Sequence, residues 1–241
     1  ISDLHLSPRS PGATALFLQF LAGRARQAES LYILGDLFEA WIGDDDIDDP
    51  YNARIVAALR AASDAGLKIG FMHGNRDFLL DQRFAGATGA RLLADPFDLV
   101  LPEWNFVLSH GDALCLDDTA YQSYRARVRS PAWQQKMLGY PRFLRRLAAR
   151  WMRWRSRSHQ QALANPWTDL QPAATDDFLR DHGYVTFIHG HTHQPATHDH
   201  IVDGIHVERW VLADWHEDRG EYLAWDGEKL TREAVLPEDR P

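Results

Sequence analysis

The sequence has a single cysteine, Cys115, among 241 residues. An internal disulfide framework is therefore excluded, and a reducing compartment fits. No apolar run approaches the roughly 18 residues that a membrane-spanning helix needs. There is no internal repeat and no collagen-like pattern, which argues against a fibrous protein. No signal-peptide pattern is visible in the residues given. The most informative absence is local: residues 119–168 contain no Asp and no Glu. That stretch carries Lys136 and ten arginines, a net charge of +11, in a chain whose overall charge is −8. The remainder is thus at −19, and an asymmetry of this size predicts two surfaces with different roles. Against these absences stands an ordinary globular balance, 45% hydrophobic and 25% charged, long enough for one to two domains with a sizeable core.

Short apolar runs alternate with alanine-rich helical stretches at 13–27 and 52–65. Leu31–Leu34, Leu67–Met72, Phe106–Leu108 and Val185–Ile188 read as buried strands, each soon followed by a glycine, and Ile1 reads as the stub of a fifth. This alternation predicts a layered α/β sheet. Residues 205–212, 221–225 and 230–236 read as further strands, with Asp226-Gly227 as a hairpin signal. Residues 117–182 read as a helical cap inserted into a core of 1–116 and 183–241, with breaks at Pro131, Pro141 and Pro166. Over 142–157, Arg142, Arg146, Arg150, Arg153 and Arg157 share an arc of about 80° at 3.6 residues per turn. Phe143, Leu144, Leu147, Trp151 and Trp154 fill the adjoining arc, which makes a basic amphipathic helix.

Polar residues follow each strand, where α/β sheets place ligands. They are Asp3-Leu4-His5, Gly35-Asp36, Gly74-Asn75-Arg76-Asp77, His110-Gly111-Asp112 and His189-Gly190-His191-Thr192-His193. Asp3, His5, Asp36, Asn75, His110, His191 and His193 are candidate metal ligands. Their oxygen and nitrogen donors suit Mn, Fe or Zn. Seven donors exceed one four-coordinate ion but suit two ions sharing a carboxylate, which can clamp a phosphorus centre for in-line displacement. Taken singly, each has a plainer reading: Asp3 and Asp36 as helix caps, Asn75 as a turn former, His110 as a core histidine.

In order, these five blocks resemble those of the calcineurin-like metallophosphoesterases. The resemblance implies a four-layer α/β/β/α sandwich. It implies one ion on Asp3, His5, Asp36 and His193, and a second on Asp36, Asn75, His110 and His191. Longer stretches, Gly35-Asp36-Leu37-Phe38-Glu39-Ala40-Trp41-Ile42-Gly43-Asp44-Asp45 and Gly74-Asn75-Arg76-Asp77-Phe78 among them, are similar to the UDP-2,3-diacylglucosamine diphosphatases of lipid A synthesis. That family implies attack at the α-phosphorus of UDP-2,3-diacylglucosamine, giving UMP and 2,3-diacylglucosamine 1-phosphate. It implies two Mn2+ and a peripheral place on the anionic cytoplasmic face of the bacterial inner membrane. Its substrate contacts carry over to Asn75, Arg76, Asp118, His191 and Ser156; Gln160 and Leu163 stand where the family has Asn and Lys. Arg76 occupies a position where many relatives place a proton-donating His. Arginine cannot serve as an acid near neutral pH but binds phosphate bidentately, which suits a leaving group that is itself a phosphate.

Two other readings compete. A dimetal nuclease could use the +11 segment to follow a nucleic-acid backbone; the negative overall charge opposes this, and no nucleic-acid partner is expected. A metal-free binding module would lack several of the seven donors, and all are present.

Overall fold

A continuous apolar run of four or five residues makes a strand when both faces of the sheet are covered. Four such runs do so here. The computed structural model describes residues 1–162 and 169–237, with 154–162 as backbone only. The first sheet orders β1 (Ser30–Ile33), β2 (Lys68–Met72) and β3 (Arg91–Leu93), all parallel. Residues 1–6 extend it: Leu34 N–H donates to Ile1 O at 2.9 Å, and Asp3 N–H to Gly35 O at 3.2 Å. The second sheet orders β4 (Phe97–Val100), β5 (Asn105–Ser109), β6 (Thr186–His189), β8 (Ile205–Val211) and β7 (Ala196–Val202). Its β5, β6 and β8 are parallel, with β4 and β7 as antiparallel edges.

Side-chain alternation sorts these strands into layers. Leu34, Met72, Phe106, Leu108 and Ile188 point inward and form the core between the two sheets. Ile33, Ile69 and Phe71 point the other way. They pack under α1 (Pro11–Ala22), α2 (Pro50–Asp64) and α3 (Gln82–Thr88) through Phe17, Ile55, Leu59 and Phe84. Val107, Phe187 and Val207 pack with Leu179 of α7 (Pro172–Asp181) on the far side. The layers are therefore α/β/β/α. A hairpin of β9 (Gly220–Trp225) and β10 (Leu230–Val235) joins the first helical layer through Tyr222 and Val235.

Beyond these layers lie α4 (Thr119–Val128), α5 (Pro131–Leu138) and α6 (Arg142–Ala162). Pro131 opens α5 at its first position, where proline's missing N–H costs nothing, and Ser130 caps it. Helix α7 falls inside the stretch expected as cap, 117–182. Its fully buried Leu179 instead makes it part of the outer layer. Pro166 and Trp167 lie outside the described residues.

The arginines of the cap differ from the sequence reading. Arg125 and Arg129 pair with buried Asp112 at 2.8 and 3.4 Å. Arg145, only 3% exposed on its side chain, grips Asp45 with both guanidinium nitrogens. Arg146 reaches Asp46 and Asp49 at 2.6 and 2.9 Å, and Arg142 lies 3.9 Å from Asp46. Arg153 meets Glu39 at 3.1 Å. Six of the ten arginines thus clasp carboxylates of the core. Among its described side chains α6 also exposes an apolar set, with Phe143 69% exposed, Leu147 63% and Trp151 54%, beside Arg142, Arg146 and Arg150.

Candidate metal centre

The five polar loops meet at the carboxyl ends of the parallel strands, and their backbones are strained there. Asp3, His5, Asp36, His191 and His193 all have φ between 50° and 68°. Only two other non-glycine residues among those described, Tyr184 and Asp203, have positive φ. Each such residue costs on the order of 1–3 kcal/mol and persists where surrounding structure over-determines it, typically at functional sites. Glycine gives these loops room to approach. A Cβ on Gly74 would sit 2.0 Å from Asp36 Oδ1, and one on Gly190 would sit 2.3 Å from Asp3 Oδ2.

All seven expected donors converge. His193 Nε2 lies 3.3 Å from Asp3 Oδ1 and 3.3 Å from His5 Nε2. His5 Nδ1 is 3.8 Å from Asp36 Oδ2, and His110 Nε2 is 3.9 Å from Asp36 Oδ1. Asn75 Oδ1 sits between His110 Nε2, at 3.1 Å, and His191 Nδ1, at 3.2 Å. Asp3, His5 and His193 form one group with donor atoms within 4.8 Å of one another; Asp3, Asp36 and His110 form another.

The charges are buried and mutually dependent. Burial pushes the Asp36 carboxyl up to about 6, against the pull of His110 and Arg76. Burial would raise Asp3 as well, but its bond to His193 and the surrounding histidine charge hold it well below the carboxylate range. For His110, burial pulls down, yet Asp36 and Asp3 outweigh it and carry the ring up to about 9. His191 is pressed down to about 3 by burial and by His110. Two buried carboxylates faced by imidazole nitrogens, with His5 and His191 held unprotonated by burial, fit divalent cations. His5 Nδ1, buried and without a hydrogen bond among the described residues, fits the same reading.

Arg76 stands at the mouth. Its N–H donates to Asp36 Oδ1 at 2.8 Å, its Nε lies 3.2 Å from Asp36 Oδ2, and its Nη1 donates to Glu39 at 3.1 Å. Asp118 instead caps α4, accepting from Tyr121 N–H at 2.8 Å. The side chains of Ser156 and Gln160, and all of Leu163, lie outside the described residues.

Some participants are invisible in the local sequence. Asp77 accepts from Leu37 N–H and Gly74 N–H, both at 2.8 Å, and so ties two ligand loops together. Asp112, next but one to His110, binds Tyr121 at 2.7 Å and two cap arginines. The Leu34 carbonyl takes the orienting place, 2.8 Å from His110 Nδ1. His189 is structural: its Nε2 faces the Arg209 guanidinium at 3.0 Å, an environment hostile to a second cation.

The layered fold and its edge of carboxylates and imidazoles match the arrangement that the resemblance to metallophosphoesterases implies, and the relatives of the chain are hydrolases. No family model matches the chain. It is 48% identical to a UDP-2,3-diacylglucosamine hydrolase from Aromatoleum aromaticum, over 94% of this chain and 92% of that protein. Proteins of the same name from Klebsiella pneumoniae and Escherichia coli are 47% and 44% identical, each over 90% of both chains. The chain belongs to the UDP-2,3-diacylglucosamine hydrolase family. Among solved structures, an archaeal phosphodiesterase aligns over 98% of this chain and 97% of that one, with a TM-score of 0.47 and 11% identity, too distant to bear on function.

Proposed function

We propose that the protein hydrolyses the pyrophosphate bond of UDP-2,3-diacylglucosamine by attack at the α-phosphorus, releasing UMP and 2,3-diacylglucosamine 1-phosphate for lipid A synthesis. The observation that carries this reading is the convergence of seven donors from five loops beside Arg76, in a chain of this family. Asp3, His5, Asp36 and His193 would hold one ion, and Asp36, Asn75, His110 and His191 a second, with Mn2+ as the metal. Such ions supply Lewis-acid charge at phosphorus and acidify water to a nucleophile near neutral pH.

The chain's own residues do the rest. Arg76 binds phosphate oxygens and, being permanently charged, stabilises the departing phosphate without giving it a proton. Glu39 and Asp36 hold its guanidinium in place. A small pocket runs from Asn75 and Arg76 between core and cap, walled by Trp41, Phe78, Trp133, Met137 and Met152 and by Arg145 and Arg153. It would take acyl chain, which places the cap, from Asp117 to the end of α6, over the substrate's lipid end. The exposed apolar face of α6, beside exposed arginines, suits the boundary of an anionic bilayer. No helix among the described residues is long and apolar enough to cross a membrane, and the proposed location is peripheral, on the cytoplasmic face of the inner membrane.

The nuclease reading loses its main support, because six of the cap arginines already pair with core carboxylates. Incubation with UDP-2,3-diacylglucosamine and Mn2+ tests the proposal. UMP should appear, and chelation or Asp36→Ala should abolish it. Release of UDP, or full turnover after metal stripping, would overturn it.

A further inference from the structure

The proposed centre uses one ring nitrogen of His193, and the other has a partner of its own. Nε2 faces Asp3 and His5, while Nδ1 lies 3.4 Å from Asp214 Oδ2. Asp214 sits in the loop after β8, and that loop is bonded on both sides to strands that carry ligands. Leu212 N–H donates to His189 O at 2.8 Å, and Trp215 N–H donates to Asp3 O at 3.1 Å. The two residues flanking Asp214 in sequence, Ala213 and Trp215, are buried at 5% and 4% exposure, so the carboxylate's approach is fixed by the backbone beneath it. Its other oxygen, Oδ1, lies 3.5 Å from His216, an exposed ring.

A neutral imidazole carries one proton, and a carboxylate beside Nδ1 draws that proton to its own side. Nε2 then presents a bare lone pair to a cation, and the ring is held against rotation. His110 is backed differently, by the Leu34 carbonyl. We propose that Asp214 is a positioning residue for His193, setting the tautomer and ring orientation with which His193 binds metal. This rests on the dimetal reading of the site.

Titration of the metal-stripped, full-length protein with Mn2+ by calorimetry separates the two ideas. Wild type should bind two ions. Asp214→Asn should weaken one of the two steps by about 10–100-fold, leave the other unchanged and leave the metal-free melting temperature unchanged. Asp214→Glu should recover part of the loss. Nitrogen-15 spectra of the Zn2+-loaded wild-type histidines provide a readout that needs no variant, and should show His193 bound through Nε2 and protonated at Nδ1. Two-ion binding equal in wild type and Asp214→Asn, or a His193 proton on Nε2, would overturn the role of Asp214. Failure of wild type to bind Mn2+ would overturn the metal centre itself.

Discussion

At position 74 the site has no space for even one methyl group. The Cβ of an alanine there would sit 2.0 Å from Asp36 Oδ1 and 2.4 Å from Asp36 N, and the backbone cannot yield. Gly74→Ala should therefore destabilise the fold by about 3 kcal/mol or more, a large overpacking cost, measured by urea unfolding. Wild-type stability in that variant would contradict the close approach of the two loops. Cys115 makes the opposite case, a residue with chemistry it cannot express. Burial, with Asp112 and Asp169 nearby, pushes its thiol up to about 12. Iodoacetamide at pH 8 should leave it unmodified in the folded protein and label it promptly in urea. At this scale the seven donors and Arg76 were legible as types following strands. The roles of Glu39 and Asp214 were not, because their partners lie far away in sequence and no local pattern marks such a contact.

Among the elements, the strands were legible because burial on both faces demands unbroken apolar runs, as in Leu67–Met72. Edge strand β7 was missed, since its Ala-Thr-His-Asp-His-Ile-Val alternates half-buried and exposed positions without a strong apolar side. A signal was present in Asp203-Gly204, with φ of 53° and 81°, the two-residue turn that joins β7 to β8. The Asp226-Gly227 hairpin exists, but its connection spans 226–229, with Asp226 accepting from Glu228 and Lys229 N–H at 2.9 Å. Asp203 also anchors α7. Its bonds to Arg180 and Tyr184 lower its carboxyl to about 2. A depressed carboxyl stabilises above its ordinary value near 4 and loses that contribution as pH falls from about 4 to 2. Carbon-13 detection of the Asp203 titration should show this value, and Arg180→Ala should return it to the ordinary range. An ordinary value in wild type would show that the α7 anchor does not form in solution.

For the molecule as a whole, the arginine-rich segment presents two faces that its composition does not separate. Part of it is a clasp. Arg145→Ala would strip the pairing from Asp45 and the bond to the Ile42 carbonyl. Asp45 is half exposed, so the loss should be a modest 1–2 kcal/mol or about that. Its readout is faster proteolysis within 119–162, with melting of the core unchanged. The rest is a surface. Replacing Phe143, Leu147 and Trp151 together with serine should weaken binding to anionic vesicles at least tenfold while leaving the metal donors untouched, because these side chains expose the apolar face of α6. Vesicle binding equal to wild type would remove the membrane reading and leave the hydrolase reading intact.

The sequence alone determined the class of chemistry, because donor identity and spacing after strands are local facts. It also determined the layered α/β plan, since periodicity records which faces are buried. Only the tertiary structure decided where the cap's charge goes: Arg145 and Asp45 are 100 residues apart, and nothing in composition says that they neutralise one another. The same holds for α7, whose place under the second sheet follows from Leu179 meeting Val107 and Phe187. Long-range pairing depends on how the layers stack, and that is fixed only when the chain has closed on itself.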